Sequence, residues 1–101
     1  MTFVNAGTLG TIPGHRDELV ATLTQRNDLL RELGCSFYEV GVHADAPDTV
    51  FVVELWESEE AHRRSLENSE VQATIAAARP ILSGEFGGFR FNVVGSPLRD
   101  A

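Results

Sequence analysis

The sequence holds a single cysteine, Cys35, among 101 residues. No intrachain disulfide can form and no thiolate cluster can hold a metal, so Cys35 is expected to pack as a small apolar residue. No apolar run approaches the roughly 20 residues that a membrane span needs. Met1 leads straight into a strand-like segment rather than a basic and then apolar leader, which makes the cytoplasm the expected compartment. Basic residues are scarce: eight Lys and Arg face fifteen Asp and Glu, for a formal charge of −7. A field of that sign repels phosphate backbones and anionic lipid unless a local basic patch offsets it. The adjacent pair Arg63-Arg64 is flanked by Glu59, Glu60 and Glu67. Neither nucleic acid nor a membrane surface is therefore an expected partner. Repeats, low-complexity tracts and Pro/Ser-rich linkers are absent too, which excludes a disordered or modular chain.

What is present is ordinary globular composition, 43% hydrophobic and 23% charged. A chain of this length makes one domain and buries roughly 60–65% of its unfolded surface. The domain is expected over residues 1–95, with a polar tail over 96–101. Its most informative stretch runs from Val50 to His62. Val50–Trp56 is apolar at nearly every position and rich in β-branched and aromatic residues, so it reads as a strand that needs cover on both faces. Glu54 breaks the run, and strand alternation puts it on the same face as Trp56. Ser58 before Glu59 and Glu60 reads as a helix cap followed by an acidic first turn, which places His62 on the helix.

The rest of the chain arranges itself around that stretch. Phe3–Ile12 has short-period character and stops at Pro13-Gly14, a first strand with Asn5 as its polar oddity. From His15 to Leu33 the spacing of Leu19, Leu23, Leu30 and Leu33 predicts one long helix ended by Gly34, with Arg26 inside the leucine stripe. Cys35–His43 reads as a second strand, and 44–49 as a hairpin loop into the third. The short helix from Glu59 to about Leu66 gives way at Asn68-Ser69, where Ser69 and Gln72 make a capping-box pattern for a further helix. That helix carries Val71, Ile75, Ala78 and Leu82 on its apolar face and ends or kinks at Pro80. Ser83-Gly84 is expected to turn the chain into a fourth strand over Glu85–Val94, in which Gly87-Gly88 marks a bulge or close backbone approach. The element order βαββαβ implies an α+β, ferredoxin-like fold: a four-stranded antiparallel sheet with its helices on one side. The other face would then expose apolar side chains, and a second copy covering it makes a homodimer the expected assembly.

Glu54-x-Trp56 followed by Ser58-Glu59-Glu60-Ala61 resembles the antibiotic biosynthesis monooxygenase (ABM) superfamily. The resemblance runs over nearly the whole chain, including Ile12-Pro13-Gly14 and Leu82-Ser83-Gly84. It implies a dimeric α+β barrel with a pocket between each sheet and its own helices. The activities it implies include cofactor-free oxygenation of phenols or quinols, haem degradation and isomerisation of small metabolites. Haem-degrading relatives carry an Asn, a Trp and an axial His at positions aligned with Gly7, Ser65 and Ile75 here, so haem degradation is not expected. Many quinol-oxygenase-like members carry a His where this chain has Ser65. His62 lies one helical turn earlier, facing either the cavity or solvent.

His15, His43 and His62 fall on different elements with no partner at ligand spacing, so no metal is expected. No nucleophile–base motif or phosphate-cradling loop occurs. The expected site joins Asn5, Arg26, Trp56, His62 and Ser65. A phenol or quinol that reacts with O2 needs a base, a hydrogen-bonding group for its oxyanion and a dry aromatic wall. His62 suits the base. Asn5 or Arg26 suits the oxyanion, Trp56 suits stacking, and Ser65 joins Arg26 in substrate binding. On this reading the protein is a cofactor-independent monooxygenase of a small aromatic substrate. The bland readings stand beside it: a core Trp56, an Asn5 that bonds backbone, a snorkelling Arg26, an exposed His62, and a Glu54 paired with an arginine of a second copy. A non-enzymatic small-ligand-binding barrel, or an isomerase using the same pocket, fits the same residues.

Overall fold

The computed structural model describes residues 1–99; Asp100 and Ala101, the end of the expected tail, lie outside the described residues. Four strands, β1 (Phe3–Thr11), β2 (Cys35–His43), β3 (Ala46–Trp56) and β4 (Leu82–Asn92), form one antiparallel sheet in the order β2-β3-β1-β4. Helices α1 (Arg16–Leu23), α2 (Leu29–Glu32), α3 (Glu59–Ser65) and α4 (Ser69–Ala78) complete the α+β, ferredoxin-like arrangement. No helix among the described residues is long and apolar enough to cross a membrane.

Alternation along β3 decides which way the sheet faces. Val50, Val52, Glu54 and Trp56 are buried under the helices, while Phe51 and Val53 remain exposed on the other side. Two apolar clusters form beneath the helices. Leu19, Val50, Val52, Ala78 and Ile81 make one; Phe3, Cys35, Trp56 and Ala61 make the other. Trp56 is 1% exposed, and truncating such a side chain to alanine costs about 3–5 kcal/mol. Glu54 sits in the sheet between the two clusters, between Val52 of the first and Trp56 of the second.

Four expectations need correction. The helix predicted over His15–Leu33 is two helices separated by residues 24–28. Thr24 returns its hydroxyl to the Val20 carbonyl at 2.7 Å, and the Asn27 side chain takes the Leu29 N–H at 3.1 Å. Such local bonds offer the backbone an alternative to continuing the helix. Arg26 therefore stands in a loop, not in a helical stripe. The cap of α4 is Asn68, whose side chain accepts from the N–H groups of Glu70 and Val71, in place of the Ser69–Gln72 box. The loop predicted over 44–49 shrinks to Ala44-Asp45, because β3 already begins at Ala46. The fourth strand runs from Leu82 to Asn92 rather than from Glu85 to Val94. Ser83-Gly84 is the irregular part of that strand, where the pairing shifts between Leu9 opposite Phe86 and Thr11 opposite Leu82. At Gly88, with φ of 126°, a Cβ would collide with the Ala6 carbonyl oxygen, so this position needs glycine for the close approach of β1 and β4. Pro80 ends α4 in a 3-10 turn over Arg79–Ile81.

Candidate functional site

A cavity of about 360 Å³ opens between the sheet and the helices, near the lower end of the range for small-molecule sites. Asn5, Arg26, Trp56, His62 and Ser65 all line it. Its floor is set by strand register. Tyr38 lies opposite Glu54, Glu54 opposite Asn5, and Asn5 opposite Arg90. Paired residues of antiparallel strands share a face, so these four make one polar row across all four strands, pointing toward the helices.

The row is tied together by side-chain hydrogen bonds. Asn5 Nδ2 donates to Glu54 Oε2 at 2.7 Å, and Trp56 Nε1 donates to Glu54 Oε1 at 2.9 Å. Arg90 Nε donates to Asn5 Oδ1 at 3.3 Å. Glu54 is thus satisfied at both oxygens by its own chain, and Asn5 bonds side chains rather than backbone.

His62 reaches the cavity because Ser58 fixes the start of α3. The Ser58 hydroxyl accepts the Ala61 N–H at 3.0 Å, and a cap of this kind is worth about 1 kcal/mol. His62 is 7% exposed, packed 5.3 Å edge-on from Trp56 and 5.7 Å from Phe3 between ring centroids. Among the described residues its ring bonds no protein atom, yet no buried side-chain nitrogen lacks both a partner and access. The unbonded ring nitrogens thus keep some access, and His62 lines the cavity. Burial pushes the imidazole below its ordinary value of 6.5; the Glu54 carboxylate pulls it up and Arg90 pushes it down. At neutral pH it is a neutral acceptor. Burial, with Glu54 nearby, likewise raises Tyr38, which stays a neutral phenol.

Two of the predicted residues play parts that their positions in sequence did not show. Ser65 is buried, but its hydroxyl donates to the His62 carbonyl at 2.6 Å, so its proton is used within α3. Arg26 stands at the rim with its side chain 87% exposed and its guanidinium 3.2 Å from Asp28. The site also contains Glu54, Arg90 and Tyr38, which were not among the expected site residues. Glu54 gave a signal, as the one charge in an apolar strand; Arg90 and Tyr38 needed the register.

The antibiotic biosynthesis monooxygenase family model matches residues 2–77. The chain belongs to this family. A candidate antibiotic biosynthesis monooxygenase of Chloroflexus aurantiacus J-10-fl shares 31% identity and superposes with a TM-score of 0.80 over 95% of this chain and 96% of that one. A protein of Shewanella oneidensis shares 25% identity, with a TM-score of 0.75 over 89% and 88% of the two chains. A candidate family member from Nitrosomonas europaea has the same fold, with a TM-score of 0.80 over 92% and 90% of the chains, at 11% identity. No curated protein sequence matches the chain. The family match ends at residue 77, so it takes in the Asn5, Glu54, Trp56 and His62 positions of the antibiotic biosynthesis monooxygenase domain and leaves out β4 and Arg90.

Proposed function

We propose that the cavity binds a small aromatic phenol or quinol and oxidises it with O2, using the protein only for acid–base work and orientation. His62 carries this reading: a buried imidazole, its basicity lowered by burial, that lines the cavity beside an indole. It takes the phenol proton, and the Glu54 carboxylate stabilises the imidazolium that results. Asn5 Nδ2 has a second N–H beyond the one given to Glu54, and that hydrogen is available to the phenolate oxygen. The electron-rich ring then adds O2 at the carbon para to its oxygen, and His62 returns its proton to the peroxide. Loss of that carbon's hydrogen with hydroxide leaves a quinone and water. The sum, phenol plus O2 to quinone plus water, needs no outside electrons.

The test is oxygen uptake and quinone absorbance with a panel of polycyclic phenols and hydroquinones, against His62→Ala and a chelated control. Uptake that survives chelation and disappears in His62→Ala is the expected result. Uptake that is unchanged in His62→Ala would sink the assignment of the base, and no uptake across the panel would sink the oxygenase reading.

The same reading includes a homodimer. The sheet face away from the helices presents Phe37 on β2, Phe51 and Val53 on β3, and Phe89 and Phe91 on β4, with exposures from 37% to 77%. A contiguous apolar surface of this kind is covered at least cost by a second copy of itself.

A further inference from the structure

We propose that the aromatic substrate carries a carboxylate and that Arg90 anchors it. The inference rests on the reading of the cavity as the substrate site. Arg90 lies opposite Asn5 and spends only its Nε on the protein, which leaves Nη1 and Nη2 without a partner among the described residues. The other arginine of the cavity wall, Arg26, is already matched by Asp28 at the rim. Among the described residues of the wall the one acid is Glu54, and the hydrogen bond that Arg90 makes there goes to Asn5 instead. Both oxygens of Glu54 are taken, by Asn5 and Trp56. The Asn5 amide stands between the two charges, its oxygen toward Arg90 and its nitrogen toward Glu54, and so holds them apart.

Arg90 is exposed, on the edge strand β4, and lines the cavity, so its guanidinium is open both to water and to an entering anion. The free edge of the guanidinium offers two parallel N–H donors, the pattern that a two-oxygen planar anion fits. Leu9, Val52 and Ile75 supply an apolar wall for the ring that carries the anion. Because Arg90 Nε donates to Asn5 Oδ1, the amide and the guanidinium lie side by side, and a ring whose phenol oxygen and carboxylate are meta to one another can present both to them.

The probes are 4-hydroxy-2-naphthoate and its neutral amide, 4-hydroxy-2-naphthamide, which share shape and leave the carbon para to the hydroxyl open. Their binding to the full-length protein is measured by calorimetry for wild type, Arg90→Gln and Arg90→Lys at two salt concentrations. The acid is expected to bind wild type about tenfold or more tightly than the amide, and high salt narrows the ratio. Arg90→Gln brings the acid-to-amide ratio near one, weakening the acid more than the amide, and Arg90→Lys keeps part of the preference. A wild-type ratio near one, a preference that persists in Arg90→Gln, equal weakening of both probes in that variant, or no binding of either probe overturns the proposal. If Arg90→Gln fails to fold, the wild-type ratio and its salt dependence decide alone. Oxygen uptake on the same two compounds separates this inference from the oxygenase reading. Tight acid binding without uptake ends the latter only; equal binding and uptake on both ends the former only.

Discussion

A buried imidazole whose ring makes no hydrogen bond among the described residues is a cost to the fold, and that cost depends on pH. The unfolded chain holds His62 near its ordinary 6.5, and burial in the folded chain holds it lower. The unfolded state therefore binds more protons, so the stability His62 contributes is complete above 6.5 and falls away as pH drops through the folded value. His62→Gln removes the titration. The stability difference between wild type and His62→Gln, read from thermal or urea unfolding, should be flat above about pH 7 and shift against wild type by about pH 5. Glu54→Gln acts on the same group: with the carboxylate gone, the acid limb of kcat/KM should move to lower pH, because Glu54 does more than Glu59 to hold the imidazole up. A limb that stays in place would detach Glu54 from His62. Tyr38 gives an independent reading of burial. It is the sole tyrosine, so an alkaline spectrophotometric titration of the native protein should show no tyrosinate at its ordinary value of 10.

At the scale of elements, the helix that presents His62 and the helix that roofs the cavity each begin at a side-chain cap. Asn68→Ala should destabilise the protein by about 1 kcal/mol, whereas Ser69→Ala should change it by a few tenths, because Asn68 makes both cap bonds of α4. The reverse order in urea unfolding would restore the Ser69 box. This contrast marks where the sequence was legible and where it was not. Strand and helix identities follow from short-range periodicity, and so β1 to β4, α3 and α4 could be read from composition and spacing. Competing local bonds are invisible to periodicity, so Thr24 and Asn27 cut an apparently continuous leucine stripe in two. The polar row was hidden for another reason. Alternation assigns Asn5, Glu54 and Arg90 each to a face, but their meeting depends on the register of strands 49 and 85 residues apart in the chain. His62 and Trp56 were accessible to sequence reasoning because a short strand-to-helix connection fixes one relative to the other.

At the scale of the molecule, the chain is a slab 44 × 32 × 21 Å with a radius of gyration of 14.2 Å, somewhat larger than the 13 Å or so of a compact chain of about 100 residues. A sheet layer and a helix layer account for the thin dimension, and among the described residues no helix covers the far side of the sheet, where Phe51 and Val53 are exposed. Much of what that side shows is aromatic or aliphatic, and Glu39 opposite Val53 brings a charge to it. The site and this face share strands: Glu54 points into the cavity while its neighbours Val53 and Leu55 point out. A second copy on the open face would therefore touch the strands that floor the cavity. Light scattering should give a mass of twice 11.0 kDa for wild type, and the thermal midpoint should rise with protein concentration. Phe51→Glu puts a charge at the centre of the face, on a strand flanked on both sides, where burial against a second copy would strand it unpaired. That variant should sediment as a monomer, melt at a lower temperature independent of concentration, and bind cavity ligands more weakly. A wild-type monomer at micromolar concentration would overturn the homodimer.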